Sequence, residues 1–399
     1  MKRLVLSILI ISSLQAGYSQ GKYPIVDTGQ KDFYSTNEII QRPHSSNPYY
    51  GQDSCVHGNQ PKYKDNKDGT ITDLVTGLMW EKNMGDKLTY EAAQRKAKDL
   101  RTGGHRDWRI PTIKELYSLI QFTGQSMGEH VITPYIDTKY FDQPIGSANR
   151  GEREIDAQTW SSTSYTGSTM GNQQTVFGVN FVDGRIKGYP LWKRREENKM
   201  YFRMVRGNTD YGKNKLVDNG DGTVSDYATG LMWQKSDDGK LYDWKGALDY
   251  ANNLSLAGHT DWYLPNAKEL ESIVDYSRSP DSTNSPSISP LFQCTKHEIL
   301  SGIVDYPYYW TSTTHLDGRN PYGNAVYVCF GHAWGRNPRT GELTDVHGAG
   351  SQRSDPKAGD SSSYPRFFGP QKDMQCVYNA VRCVRKIQKG DKPKKTKSR

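Results

Sequence analysis

The sequence lacks several motifs by which enzymes are recognised. It contains no His-Glu-x-x-His zinc motif, no phosphate-binding loop and no dinucleotide fingerprint. Its five cysteines are not spaced as close pairs of metal ligands. The composition therefore offers no standard catalytic centre, no cofactor and no metal site to predict.

Long apolar segments are also scarce. Leu4 to Leu14 is the main apolar run, and it is too short to span a bilayer. It follows Lys2 and Arg3 and precedes small residues, a pattern typical of a secretory signal peptide over 1–19. We therefore expect an exported protein, periplasmic, on the cell surface or secreted, that does not span the membrane.

An excess of charge on the body of the protein is absent as well. The net charge of +8 includes +2 from Lys2 and Arg3 and +6 from the tail, 386–399, so the body is close to neutral. The tail is expected to be disordered and solubilising, with contact to polyanions as the alternative. Nothing in the body indicates nucleic-acid binding.

Cysteine is rare but unevenly placed. An exported chain is expected to form disulfides. Cys55 stands alone near the N-terminus. The other four cysteines lie in the last third and are the disulfide candidates: Cys294, Cys329, Cys376 and Cys383. Three pairings remain open, and we favour a nested one with Cys329–Cys376 inside Cys294–Cys383.

What the sequence does contain is a tandem repeat. "DNKDGTITDLVTGLMWEK", from Asp65, returns as "DNGDGTVSDYATGLMWQK", from Asp218, with twelve of eighteen positions identical. "GHRDWRIPTIKEL" returns as "GHTDWYLPNAKEL", and "TWSSTSY" as "YWTSTTH". The order is kept, so a whole domain is duplicated. Six of the nine tryptophans fall in repeat pairs and are predicted to be core residues: Trp80, Trp233, Trp108, Trp262, Trp160 and Trp310.

The repeat sets the predicted domain organisation. The predicted segments are a lead-in over 20–62, a first domain over 63–207, a linker over 208–214, a second domain over 215–385 and the tail over 386–399. Each copy is predicted to be α+β, with a β-hairpin, two helices and a strand-rich half.

Local signals place these elements. Asp-Gly at Asp68 and at Asp221 predicts tight hairpin turns. Thr89 and Asp243 are predicted N-caps of the first helix in each copy. A capping box is predicted to begin the second helix of each copy, with Thr112 and Glu115 in the first and Asn266 and Glu269 in the second. The two boxes lie at matching positions of the repeat.

The repeated acidic phrase invites comparison with a calcium loop. With Gly222 at position 6 of an EF-hand, position 1 would be Val217 and position 12 would be Ala228. Both required ligands are missing, so we predict a hairpin. His105 and His259, before Asp107 and Asp261, are likewise expected to close a turn, with the aspartates bonding nearby backbone amides.

These motifs, in this order and together with "YWTST" and the terminal "VRCVR", resemble the Legionella collagen-like protein C-terminal domain family. The resemblance covers both copies. It implies a C-type-lectin-like fold, related to that of formylglycine-generating enzymes, and a role similar to that of a surface adhesin. An oxidase that resembles the formylglycine-generating enzymes would need a reactive pair of cysteines. Cys376 and Cys383 are the most closely spaced pair in this sequence, but we favour a structural disulfide for them.

The copies differ most between Gly331 and Gln375, where the second copy holds an insert of roughly thirty residues. Its aromatic and planar donor side chains suit sugars or acidic groups. The predicted ligand-binding residues are Trp334, Arg336, Arg339, His347, Arg353, Asp355, Arg366 and Phe367. The alternative is an ordered loop that covers the core.

The sequence therefore favours an exported, non-catalytic binding protein that recognises a glycan or a surface protein mainly through this long loop. Two alternatives stay open. One is a structural component of the cell envelope built from duplicated domains. The other is an enzyme of unrecognised mechanism related to formylglycine-generating enzymes.

Overall fold

The computed structural model describes residues 23–126, 132–193, 195–337 and 339–391. The predicted signal peptide, 1–19, and residues 392–399 of the predicted tail lie outside them. The described part of the tail is ordered: Lys386 ends a strand, and Asp391 bonds to Arg385.

The described residues form five helices and many short strands, so the fold is α+β. The helices are α1 Tyr90–Asp99, α2 Ile113–Tyr117, α3 Trp244–Asn253, α4 Ala267–Ser272 and α5 Pro280–Thr283. Strands up to the end of the first copy are β1 Phe33–Tyr34, β2 Ile39–Ile40, β3 Tyr63–Asp65, β4 Thr70–Asp73, β5 Leu78–Glu81, β6 Gln125–Ser126, β7 Ile132–Thr133, β8 Thr159–Ser164, β9 Thr175–Asn180, β10 Arg185–Pro190, β11 Trp192–Lys193, β12 Glu196–Glu197 and β13 Val205–Gly207. The later strands are β14 Leu216–Asp218, β15 Thr223–Asp226, β16 Leu231–Gln234, β17 His297–Leu300, β18 Ile303–Asp305, β19 Tyr308–Thr314, β20 Asn324–Cys329, β21 Trp334–Arg336, β22 Leu343–Asp345, β23 Gln352–Pro356, β24 Phe367–Phe368, β25 Asp373–Met374 and β26 Val384–Lys386.

The predicted hairpin opens each copy. In the first, β3, β4 and β5 pair antiparallel, and β13 from the end of the copy adds to β5. The second copy repeats this with β14, β15, β16 and β26. Gly69 and Gly222 have φ of 87° and 88°, which a glycine adopts without strain. The repeated phrase is therefore a hairpin, as predicted.

The helix caps also form as predicted. Thr89 accepts a hydrogen bond from the Ala92 amide, and Asp243 accepts one from Gly246. Both capping boxes are complete. Such an N-cap contributes about 1 kcal/mol to stability, so these local signals fix where the helices begin.

The two copies share one sheet. Its order is β19-β20-β23-β10-β9-β8, with three strands from each copy. The seam is the antiparallel pair of β10 and β23, where Ile186 lies opposite Gln352. Beside it, the Gly188 amide donates to the His347 carbonyl at 2.8 Å, and a Cβ at Gly188 would come within 2.5 Å of that oxygen. The duplicated halves therefore form a continuous structure.

The core confirms the tryptophan prediction and joins the copies. All six paired tryptophans are buried, none more than 5% exposed. One core cluster contains Phe177 and Val179 of the first copy with Ala267 and Val326 of the second. Apolar burial, the main driving force of folding, thus crosses the boundary between the repeats.

The predicted lead-in segment also packs into this interior. Its sequence has no clear hydrophobic periodicity and did not indicate this. Asp27, Thr28, Gln30 and Asp53 are all buried. The Phe122 amide donates to the Thr28 carbonyl at 2.8 Å. The lead-in therefore packs between the copies as an integral segment.

Candidate functional site

The insert of the second copy folds into its own small sheet, ordered β22-β21-β25-β24, and supplies β23 to the central sheet. Between β20 and β23 it takes the place of the tight turn that joins β9 to β10 in the first copy. Its residues therefore divide into those that hold the seam and those that face solvent.

Three of the predicted ligand-binding residues lie in the core or at its border: His347 and Asp355 are buried, and Arg353 is partly buried. His347 is 1% exposed, with Nε2 at 2.6 Å from an Asp373 carboxylate oxygen. Arg353 donates to Asp373 at 2.5 Å and lies 2.7 Å from the same histidine nitrogen. Asp355 is also buried, and burial raises its pKa to about 8. These groups bond to one another or to the core, where they hold the insert against the sheet.

The His347 imidazole is held neutral. Burial lowers the pKa of His347 to about 4, and the neighbouring Arg353 guanidinium acts in the same direction. The pKa of Asp373 stays well below its usual range despite burial, because Arg353 and His347 favour the carboxylate. The buried charge of the carboxylate is thus compensated by an arginine, which is the arrangement that burial of a charge requires.

Other predicted residues lie nearer the surface. The Arg336 guanidinium lies 4.6 Å from the Phe367 ring centroid, and the exposed Arg366 donates to the Gln375 carbonyl at 3.0 Å. Trp334 is half-buried, and its indole donates to Asp305 at 2.9 Å. The structure therefore leaves these residues wholly or partly accessible but occupies several of their donors internally.

His332 is a neighbour of Trp334 that the sequence analysis did not select. Its Nδ1 lies 2.8 Å from Asp305, and its Nε2 lies 3.0 Å from Asp281. Burial alone would lower its pKa, but the bonds to the two carboxylates outweigh burial and raise the pKa to about 9. A charged imidazole thus ties the insert to α5.

Arg339, the remaining predicted residue, lies in a cleft of about 730 Å³ between the insert and the first copy. Trp192 of the first copy also lines this cleft and is 52% exposed. The polar residues of the cleft are Gln173, Lys193, Glu196, Asn337, Arg339 and Gln371. An exposed indole face beside amides and cations is chemically suited to a sugar with polar or acidic substituents.

Trp192 carried a signal in the sequence. It is one of three tryptophans without a repeat counterpart, the others being Trp244 and Trp334. Trp244 is fully buried, whereas Trp192 is in the short β11 strand that pairs with β12. Trp192 could therefore have been predicted as a site residue together with those of the insert, because it is an aromatic residue that has no counterpart in the other copy.

A serine motif also escaped the sequence analysis. Gly124 to Gly128 has the Gly-x-Ser-x-Gly spacing of a nucleophile elbow. Ser126 lies in the two-residue strand β6 and is 8% exposed. Among the described residues, no histidine or carboxylate bonds to its hydroxyl. Within the part of the chain that the structure describes, Ser126 therefore has no activating base of the kind that a nucleophilic serine needs.

The structure corrects the disulfide prediction. All five cysteines are free thiols, including Cys294, Cys329, Cys376 and Cys383. Cys329 and Cys383 are completely buried in an apolar cluster, and Cys294 contacts the Arg382 guanidinium at 3.3 Å. Burial raises the pKa of Cys376 to about 12 and that of Cys383 further. The thiols are therefore protonated packing groups, unlike a reactive pair.

The aspartates of the two His-x-Asp motifs bond differently from the expectation. Asp107 accepts from Arg206, and Asp261 accepts from Arg385, each on the terminal strand of its copy. The terminal strand of each copy lies beside this segment, because Val205 bridges to Arg109 and Val384 bridges to Tyr263, and this brings each arginine close to its aspartate. The His259 amide does close the turn, donating to the Leu256 carbonyl at 3.0 Å.

Comparison with protein families gives two matches, at residues 69–206 and 222–344, to the model of the Lcl C-terminal domain. The chain belongs to this family. The matches cover more than half of the chain, correspond to the two copies, and confirm the resemblance seen in the sequence. Membership in the Lcl C-terminal domain family indicates a non-catalytic surface or binding role.

Neither the curated proteins nor the solved structures contain a significant match. Within the described residues, no helix is long and apolar enough to cross a membrane.

Proposed function

We propose that the protein is an exported binding protein that recognises a glycan in the cleft between Trp192 and Arg339. The observation that carries the proposal is the exposed indole of Trp192 in a cleft of about 730 Å³ with amide and guanidinium groups on its walls. Stacking on an aromatic face accommodates the apolar face of a sugar ring, and planar donors bind its hydroxyl or acid groups.

The proposal modifies the role of the long loop. The insert supplies Asn337 and Arg339, but the first copy supplies Trp192, so the ligand would bridge both copies. Export rests on the signal-peptide pattern at the N-terminus. A C-type-lectin-like fold for each copy, with the adhesin-like role that accompanies it, is supported by membership in the family.

A glycan array tests the proposal. We would compare the mature chain with a form that ends at Asp391, at moderate salt, and then with the variants Trp192→Ala and Arg339→Ala. The matched control is Phe368→Ala, because Phe368 is 59% exposed but lies outside the cleft. Binding to a few related glycans, lost in Trp192→Ala and kept in Phe368→Ala, is the expected result.

Two outcomes would contradict it. If only the chain with the full tail binds, and salt abolishes that binding, the attraction is the charge of the tail. If no glycan binds but the protein assembles in the absence of ligand, a structural role in the cell envelope is favoured instead.

A further inference from the structure

One buried lysine of the first copy faces a side-chain amide of the linker. Lys114, at the start of α2, is 9% exposed, and its Nζ donates to Asn214 Oδ1 at 3.0 Å and to the Ser272 carbonyl at 2.7 Å. Among the described residues, no carboxylate bonds to this nitrogen. Burial lowers the pKa of Lys114, although nearby carboxylates oppose the shift. The environment therefore favours the neutral amine, which is the nucleophilic form of a lysine.

A buried carboxylate holds the same amide from its other side. Asn214 Nδ2 donates to Asp226 Oδ2 at 2.7 Å, and the other oxygen of Asp226 accepts from the Lys215 amide at 2.8 Å. Asp226 lies in β15 and is fully buried. Because an ionised carboxylate only accepts hydrogen bonds, the amide nitrogen must face Asp226 and the amide oxygen must face Lys114. The Asn214 amide is therefore fixed between an amine and a carboxylate.

The surroundings limit the access of water to this amine and amide. Tyr23 and Tyr211 are both buried, with ring centroids 4.6 Å apart, and the Lys114 Nζ lies 5.8 Å from the centre of the Tyr23 ring. Lys114 and Asn214 also line a cleft of about 640 Å³ that opens to solvent. A small product such as ammonia has a way out, while the reacting groups stay largely enclosed by protein.

The second copy provides an internal comparison. Lys268, the counterpart of Lys114, donates to the carbonyls of Asp27 at 3.1 Å and Ser118 at 2.9 Å. Pro61 stands where the linker has Asn214, and Asp73 stands in place of Asp226. Among the described residues, Asp73 Oδ2 has no hydrogen-bond partner. The amine, amide and carboxylate are therefore assembled around one lysine of the pair and are incomplete around the other.

We propose that Lys114 and Asn214 become joined by an intramolecular isopeptide bond, with Asp226 as the catalytic carboxylate. The neutral Nζ attacks Cγ of Asn214, so that an N–C bond forms and the bond from Cγ to Nδ2 breaks. Asp226, which is bonded to the leaving nitrogen, delivers to it the proton that Nζ loses, and ammonia departs. The reaction needs no oxidant, because an amide and an amine give a new amide and ammonia.

The geometry supports this reaction because both partners are already in place. Holding an amine beside an amide replaces a bimolecular encounter by an intramolecular one, which is a large gain in rate. The product fits the same contacts, since the N–H that remains on Nζ points to the Ser272 carbonyl as one of the present donors does. The bond would close a loop over a sequence separation of 100 residues and so tie the linker to α2.

Peptide mapping of the mature chain tests the proposal. Trypsin does not cleave after a lysine whose amine is acylated, so residues 110–139 should remain uncut at Lys114 and appear joined to a peptide that contains Asn214. The intact mass in denaturant should be lower than that of the linear chain by about 17 Da, the mass of ammonia. The denatured chain should also migrate faster in gel electrophoresis, because a closed loop is more compact.

The variants use the repeat as a matched control. Lys114→Arg keeps a cation but removes the primary amine, and it should restore the mass of the linear chain. Lys268→Arg makes the same change at the counterpart and should keep the loss of ammonia. Asp226→Asn should leave the amine and the amide unreacted. If a variant fails to fold, the peptide map of the wild-type chain still decides, because it depends on no substitution.

The proposal is wrong if the wild-type chain has the mass of the linear sequence and trypsin cleaves it after Lys114. It is also wrong if Lys114→Arg still lacks one ammonia, or if the joined peptides contain Lys268 instead. Trp192→Ala should keep the bond, since the Trp192 cleft and this site share no residue. The result is therefore independent of whether the protein binds a glycan.

Discussion

The side chain of Lys114 donates a hydrogen bond of 2.7 Å to the backbone carbonyl of Ser272. The equivalent residue of the second copy, Lys268, donates one of 2.9 Å to the carbonyl of Ser118, which is the counterpart of Ser272. Both lysines are buried. The helices α2 and α4 are therefore joined by a reciprocal pair of bonds across an approximate two-fold axis.

Replacing either lysine by methionine should lower the free energy of unfolding by about 1–3 kcal/mol, because each change leaves a buried carbonyl without a donor. Urea denaturation followed by tryptophan fluorescence measures this. Lys213→Met, at an exposed position, is the control and should have little effect. A wild-type chain that unfolds in two separate steps, one for each copy, would contradict the interlocked arrangement.

Arg353→Met should destabilise the fold, and Arg339→Ala should not. Without Arg353 the carboxylate of Asp373 stays buried and loses the guanidinium that is bonded to it, at a cost of about 3–5 kcal/mol. Arg339 is exposed in the Trp192 cleft, so its removal is expected to affect ligand binding alone. Thermal unfolding of both variants makes the comparison, and equal melting temperatures would refute the assignment of Arg353 to a structural role.

His332 should make stability depend on pH on the alkaline side. Its pKa is raised to about 9 between Asp305 and Asp281, with Asp345 also contributing to the raised value. Since the folded pKa exceeds the unfolded value of about 6.5, its contribution is complete below pH 6.5 and is lost between pH 6.5 and 9. The loss is of the order of 3 kcal/mol. His332→Gln should flatten the unfolding free energy over that range, and an unchanged slope would contradict the prediction.

Five free thiols should be found in the mature protein without reductant. Alkylation in denaturant, followed by intact mass measurement, should label all five cysteines. The same experiment after reduction is the control and should give the same mass. A difference of two or four labels would establish disulfides that the structure does not contain.

The sequence was informative where a signal is local. The Asp-Gly turns, the N-caps at Thr89 and Asp243 and the capping boxes depend on neighbouring residues, and the repeat presents each signal twice. The paired tryptophans were predictable as core because two copies of one fold bury the same positions.

The site was less predictable because it depends on contacts between distant segments. His347 and Arg353 are polar residues in a segment whose sequence is typical of a surface loop. They hold the insert against the sheet because both bond to Asp373 once the insert is folded. Trp192 belongs to the other copy. It lines the same cleft as Arg339 because the two copies pack together, with β10 paired to β23, and no local pattern specifies that packing.

That pairing has a consequence for any half of this molecule made alone. A chain ending in the linker would leave β10 as an exposed edge at what is now the middle of a sheet, together with the apolar surface that the first copy shares with the second. Such an edge satisfies its hydrogen bonds most readily with another copy of itself. A single repeat would therefore be expected to exist as a two-fold homodimer, and the duplication makes that dimer a single polypeptide whose two halves are then free to diverge.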